Sequence, residues 1–357
     1  MFVYQNKTAK DVFYGDRRIK QIYLGNRLIF EPQKFINFLG IYDHCIICID
    51  HQVYLYLPKY VNGSAVTATK IQGVTSDYIV SRGADAAFDS MDSGVVRTFD
   101  RYGKLIKEWD GKWDKIITSQ VFMRDSDVYR CLMKDASFGE PELMLSGATF
   151  VNKYFEDTYC AIVQTSSKVY QVSRYGCFEC AGIEPGLDWG IPIYIWADGG
   201  GAYPCFIASY SGTLVLYHLN YDNSGNPTTY NERWRSSDGV DYSRMQLSSI
   251  TATPTTAAYG LLDGKVIEIK PNKNFSCTVS TLLNNCTKLA APYAICNGKV
   301  QFFSTYAEYT PMYPPDPDAN YIDLAGGAYT FFCRTADDRF FHVGTSDYGA
   351  KFELFLP

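Results

Sequence analysis

The chain carries no surplus of positive charge, no long apolar run and few histidines. Lys and Arg total 33 against 38 Asp and Glu, which leaves a net charge of −5 and a pI near 5.5. A nucleic-acid-binding domain normally shows a basic stripe, and Arg17-Arg18 and Arg233–Arg235 are too short to make one. They read as solvated surface charge. No stretch approaches the ~18 consecutive apolar residues of a membrane span. The opening MFVYQNKTAKDVFYGDRR is polar and alternating, unlike a basic region followed by an apolar secretion segment. The expectation is a soluble protein made in the cytosol, with no membrane insertion and no nucleic-acid partner.

Catalytic and metal-binding patterns are equally sparse. His44, His51, His218 and His342 are far apart and in no ligand spacing, and no GxSxG-type elbow is present. Glycosidase chemistry needs two carboxylates flanking a bond, and spacing singles out no pair among the 38 acidic residues. The 11 cysteines are an odd count scattered along the chain, unlike a compact secreted disulfide framework, so mostly reduced, buried thiols are expected. Cys45/Cys48 and Cys177/Cys180 have the Cys-x-x-Cys spacing of a zinc site. The first pair lies inside an apolar strand run, where residues three apart face opposite ways, and the second has no neighbouring pair in sequence. Asp316, Asp318 and Asn320 alternate as a calcium loop begins, but Tyr321 and Gly327 occupy the places of its glycine and its bidentate glutamate. Asp85, Asp89 and Asp92 in the small, acidic stretch 82–94 read as carboxylates solvating a loop. Gly199–Gly201 lack the Lys-Ser/Thr that completes a phosphate loop. No catalytic residue, metal ligand or cofactor is assigned, and the chain is read as non-enzymatic.

Aromatic residues are plentiful, 16% of the chain with 29 tyrosines, and tyrosine suits strands and half-buried surfaces. Val95–Trp109 (VVRTFDRYGKLIKEW) has strand-prone flanks around Asp100–Gly103, the pattern of a β-hairpin. Similar units recur at 169–182, 259–270, 294–304 and 334–344. A lone hairpin cannot bury its own apolar face, so these must pack on one another. Units of about 40 residues suit four-stranded blades. They fall near 36–71, 72–111, 112–147, 148–186, 187–238, 239–285 and 286–324, with 325–357 an eighth unit or the strands that close the ring. The body, 34–357, therefore resembles a β-propeller of about seven blades, and the fold class expected is all-β. Multi-sheet β-sandwiches and a β-solenoid are the alternatives.

Residues 1–33 differ from the body. Val12–Ile19 echoes Ile22–Ile29 at an offset of ten, with Gly15-Asp16 and Gly25-Asn26 between strand-like flanks, which predicts a small three-stranded β-meander. Too short for a core of its own, it should dock on something else. Glu31-Pro32-Gln33 ends it, because proline cannot donate within a ladder. The pattern YxGxxxIxxIYLGNRLIFEP resembles the N-terminal segments of tail and other virion proteins of bacteriophages and prophages, with Tyr14, Gly15, Tyr23, Gly25 and Asn26 in the matching positions. That resemblance implies a virion structural protein but supplies no location within the virion, because such segments occur on several components; the expectation is a tail-associated protein, assembled in the host cytoplasm and docked on other virion proteins through these residues.

Two irregular, polar stretches, 217–238 and 306–323, read as loops on a rigid scaffold, where contacts usually reside. Trp196, Tyr230, Trp234 and Tyr313 are the expected contact residues for a protein partner or a host-surface glycan. The expectation for the whole chain is a virion component held in multiple copies, which presents its body to neighbours or to the host. The alternatives are a carbohydrate- or receptor-binding module, and a propeller glycoside hydrolase acting on host surface polysaccharide.

Overall fold

The structure, a computed structural model, describes the backbone of strands between residues 3 and 56 and then residues 65–75, 78–81, 88–92, 94–100, 102–109, 111–118, 120–131, 133–134, 137–153, 160–196, 202–222, 227–248, 257–303, 311–326, 330–344 and 351–356. Side chains before Ile46 fall outside the description, as do Gly15, Gly25 and Asn26. The chain is all-β: among the described residues it forms many small, mostly antiparallel sheets and no helix that is long and apolar enough to cross a membrane.

Eight sheets of three to five strands follow one another along the body, spanning 36–75, 78–109, 115–145, 150–179, 189–235, 246–283, 286–302 and 321–355. The expected divisions lie close to these spans, with one shift. Tyr321–Gly326 opens an eighth sheet rather than ending the seventh. That last sheet takes a fifth strand from the start of the body, because Ala65–Thr67 runs parallel to Phe352–Phe355, pairing Ala65 with Glu353 and Thr67 with Phe355. The chain then returns to the first sheet as Thr69–Thr75, which pairs with Gln52–Tyr56.

Hairpin chemistry sets the turns. Asp263-Gly264 and Asn297-Gly298 are left-handed at both positions, the geometry that keeps two-residue turns in step with strand twist. In the 95–109 hairpin the Asp100 carboxylate accepts the backbone N–H groups of Tyr102 and Lys104. Gly103, at φ +80°, brings this turn against the first sheet, where an added Cβ would lie 2.7 Å from the Ile71 side chain. Glycine is needed there for both backbone angle and space.

Apolar residues point out of both faces of the sheets, and seven clusters fill the gaps between them. Ile46, Cys48 and Val53 meet Phe88 and Phe99 between the first and second sheets. Val96 and Trp109 meet Ile116 and Phe122 at the next gap, and Val121 and Val128 meet Ala161 and Val163 after it. One larger cluster runs from Ile162 through Ile191, Phe206 and Leu216 to Ile269, across the fourth, fifth and sixth sheets. Tyr259 and Ala294 join the sixth to the seventh, and Tyr293 and Phe331 the seventh to the eighth. The last cluster places Phe332, Phe340 and Phe352 of the eighth sheet on Ile47, Tyr54 and Tyr56 of the first. The succession closes on itself, and each fully buried Phe or Ile contributes about 1.5–3 kcal/mol by leaving water.

Several expectations change. Residues 82–94 are not wholly a loop, because Phe88–Asp92 is a central strand of the second sheet and Asp89 is fully buried. Asp89 and Asp92, three apart in a strand, face opposite ways; Asp85 lies outside the described residues. The stretch 217–238 is chiefly the long hairpin of Thr213–Tyr221 and Pro227–Arg235, so its polar character marks an exposed outer strand rather than an irregular loop. The described thiols are mostly free and buried, as expected, but Cys286 and Cys296, facing each other on paired strands, form a disulfide. Finally, residues 3–30 form three separate two-stranded hairpins, Val3–Tyr4 with Lys7–Thr8, Phe13–Tyr14 with Arg17–Arg18, and Ile22–Leu24 with Arg27–Phe30, in place of a three-stranded meander. The ten-residue echo repeats a whole hairpin, so each copy pairs within itself.

A buried polar chain ties the second sheet to the third. The Trp109 indole N–H donates to Thr98 Oγ1 (3.0 Å), the Thr98 hydroxyl donates to Asp89 Oδ1 (2.5 Å), and Asp89 Oδ2 accepts the backbone N–H of Gln120 (3.2 Å). Asp89→Ala strands donors on both sheets and is expected to cost about 2–4 kcal/mol in urea unfolding, with Asp89→Asn costing less; a loss below about 0.5 kcal/mol, no more than an ordinary surface change, contradicts this role.

Alkaline pH supplies a second test. Burial pushes the Tyr293 phenol up to about 12 and raises Tyr210, Tyr217, Tyr242 and Tyr321 as well. An unfolded tyrosine ionises near 10, so the folded state favours the neutral phenol. That stabilisation is complete below about pH 10 and is lost as pH climbs toward the folded values. Denaturant midpoints should hold from neutrality to about pH 8, then decline gently as thiols whose pKa burial raises, such as Cys205, Cys277 and Cys333, ionise in the unfolded chain. They should fall steeply above about pH 10 together with the rise of tyrosinate absorbance; a flat profile through about pH 11 counts against it.

Candidate functional site

The expected contact residues do not gather into one site. Trp196 ends the first strand of the fifth sheet, with its side chain outside the described residues. Tyr313 is 48% exposed and sits in the 311–320 turn beside the eighth sheet. That turn is rigidly held. The Asp316 carboxylate accepts the N–H groups of Asp318 and Ala319 and pairs with Arg339 at 2.8 Å, while Lys299 Nζ donates to the carbonyls of Pro317 and Ala319. Arg339 holds the Asp316 carboxyl below its usual range.

Tyr230 and Trp234 share the outer strand of the fifth sheet but face opposite ways. Four residues apart, they would share a face in a regular strand. Tyr217 pairs with Glu232 and Leu216 with Trp234, so a bulge at Arg233 inserts one residue and reverses the alternation. Tyr230 then lies with Phe206, Tyr210, Tyr217, Glu232 and Arg235. Trp234 lies with His218, whose ring is 4.5 Å from Phe275 of the sixth sheet. Burial, and then the Arg233 charge, lower the His218 pKa, which favours the neutral imidazole. Arg233 itself stacks over Phe275 at 5.8 Å.

The Tyr230 face carries a pocket of about 550 Å³. One wall is the fifth sheet. The other is the connection that leaves the fourth sheet, which is clamped on the outer strand where the Tyr230 N–H donates to the Ala181 carbonyl at 2.7 Å. Gly182, at φ +88°, lies so close that a Cβ would come within 2.2 Å of the Tyr230 carbonyl oxygen. Any side chain there would push the two walls apart.

Inside, the Tyr210 hydroxyl donates to the Glu184 carbonyl at 2.8 Å and is hydrogen-bonded to the Tyr217 hydroxyl. Burial, the largest cause, pushes the pKa of both phenols above the ordinary value. Arg235 reaches both carboxylate oxygens of Glu232, at 3.0 and 2.8 Å, and this contact raises the arginine pKa further. The arrangement offers aromatic walls, a fixed planar ion pair and one carboxylate, Glu184, with no ion-pair partner among the described residues. Such a set of groups has the size and mixed polarity that can hold a small polar ligand.

Sequence reasoning singled out Tyr230 and missed Tyr210, Tyr217, Glu184, Glu232 and Arg235. The period-2 pattern places Tyr210 and Tyr217 on one face once the register is known, but the bulge and the fold-over of 180–186 leave no sequence signal. The two Cys-x-x-Cys pairs make no joint site. Cys48 is buried between the first and second sheets, Cys177 packs against the cluster between the third and fourth, and Cys180 is buried in the central cluster. Cys45 lies outside the described side chains. No group of three or more His, Cys, Asp or Glu is placed to hold a metal among the described residues. The docking candidates Tyr14 and Tyr23 fall on hairpin strands of the N-terminal segment, in backbone only.

No protein-family description matches this chain, and neither does any curated protein. Solved structures with a similar backbone include a chain of the yeast Nup82-Nup159-Nup116 nucleoporin complex, 8% identical, covering 77% of this chain and 97% of that one with a TM-score of 0.45. Hsv2 of Kluyveromyces lactis is 8% identical over 89% of this chain and 96% of that one, with a TM-score of 0.41. The Nup133 β-propeller domain of Vanderwaltozyma polyspora is 9% identical over 87% and 97%, with a TM-score of 0.39.

Proposed function

We propose that this chain is a non-enzymatic structural protein of a bacteriophage virion, tail-associated, whose N-terminal hairpins dock on another virion protein and whose body is a β-propeller that presents its rim to neighbours or to the host surface. On this reading the eight sheets are eight blades, the last completed by the strand from residues 65–67. The protein is assembled in the host cytoplasm and resides in the virion in several copies. It needs no cofactor and contacts neither nucleic acid nor the bilayer interior.

The observation that supports the reading is a row of three short hairpins, Val3–Thr8, Phe13–Arg18 and Ile22–Phe30, ahead of a body whose sheets pack on one another. Hairpins of two to four residues per strand bury almost nothing alone, so they are stable only against a surface. The resemblance of Tyr14-Gly15 and Tyr23-Leu24-Gly25-Asn26 to virion segments names the kind of surface. The body supplies rigidity, because every sheet is packed on both sides. Function then comes from placement and repetition: weak contacts repeated around a symmetric particle add up to avidity.

Removing residues 1–34 tests the reading in particles. The shortened chain should fold, with the melting behaviour of the intact protein, yet drop out of particles assembled with it in place of the full chain. Equal incorporation of the two chains overturns the anchor assignment.

A further inference from the structure

We propose that the pocket between Tyr230 and the 180–186 connection binds a neutral oligosaccharide. This names a ligand for the body as a display platform; it does not depend on the hairpins being an anchor.

Size comes first: about 550 Å³ falls in the range of small-ligand sites and is too small for a folded partner. Charge comes next. Arg235 is neutralised by two contacts to Glu232, and Glu184 adds a carboxylate with no opposing cation among the described residues. An anionic ligand would find no free positive group and would be repelled by Glu184. A compact cation would find only Glu184, a single exposed carboxylate whose pull is screened by water. Charge therefore selects strongly for neither sign, and a neutral ligand is left.

The surface chemistry then selects among neutral ligands. Tyr210, Tyr217 and Tyr230 combine ring surface with phenolic hydroxyls, which suits a molecule that is apolar on one face and polar at its edge. The Arg235–Glu232 pair holds its two planar groups in place. It leaves three of the guanidinium's five N–H donors, and spare carboxylate lone pairs, for other partners. Neighbouring hydroxyls on a sugar ring match such an array, one donating as the next accepts. A hydrocarbon would strand those groups, and a peptide strand would need an open sheet edge with unpaired backbone rather than a side-chain pocket.

The test uses the full chain on an array of neutral glycans, acidic glycans and choline conjugates, followed by calorimetry with the best neutral oligosaccharide bound. Binding to neutral glycans is expected, weakened about tenfold or more by Tyr230→Ala, as for an aromatic anchor, and by Thr229→Trp, which crowds the mouth from an exposed position. Tyr313→Ala, on another part of the rim, should leave it unchanged. Thermal melts identify any variant that fails to fold, and Thr229→Trp keeps the test valid if Tyr230→Ala does. Retention of acidic glycans or choline only, no glycan binding at all, or binding indifferent to both pocket variants overturns the proposal. Glycan binding and particle incorporation are separate readouts, so either assignment can fail without the other.

Discussion

Each of the eight larger sheets, among the described residues, has two apolar faces and too few residues to bury either one alone. That constraint organises the rest. A four-stranded sheet with Ile46 and Ile47 adjacent in one strand, both inaccessible to water, must find a partner on each side. Stacking sheets in a line would leave two faces bare at the ends. Bringing Phe332, Phe340 and Phe352 of the last sheet onto Ile47 and Tyr54 of the first removes both ends at once. Polar chains such as Asp89–Thr98–Trp109 add direction to that packing, because their hydrogen bonds are satisfied in only one relative placement of neighbouring sheets.

Much of this was legible in the amino acids. The hairpin turns at Asp100–Gly103, Asp263-Gly264 and Asn297-Gly298 announce themselves through residues that tolerate left-handed backbone, and the forty-residue spacing follows from counting them. The nearly continuous apolar run 45–57 suggests one inner strand, but it is two paired strands, His44–Ile49 and Gln52–Tyr56, of which Ile46, Ile47, Cys48 and Val53 are fully buried. What misled was polarity. The sequence 217–238 looks like a loop because an outer strand meets water along one edge and needs few apolar residues. In the opposite direction, Asp89 looks like a solvated loop carboxylate, and only its partners on two sheets explain why it is buried. The disulfide follows from register, since Cys286 and Cys296 become neighbours only once their strands pair.

The pocket shows why a site can hide while its scaffold is plain. It depends on a single inserted residue at Arg233, which sends Trp234 to one side and leaves Arg235 beside Glu232 on the other. It depends equally on Gly182, which lets a connecting segment lie against the Tyr230 backbone. Neither feature has a periodicity, and both concern how two distant stretches approach. The aromatic residues were visible as a class, but which of the 29 tyrosines share a wall was a matter of strand register.

The pairing of residues 65–67 with 353–355 sets an order of events during biosynthesis. A nascent polypeptide emerging from the ribosome can complete its early hairpins as they appear, because their contacts are local. The seam between Ala65–Thr67 and Phe352–Phe355, however, has to wait until residue 355 has emerged. Until then Ala65–Thr67 has no partner strand, and the Ile47–Tyr54 face lacks the Phe352 and Leu354 that complete its cover. A polypeptide halted short of Phe352 therefore leaves sticky apolar surface at both margins of the seam.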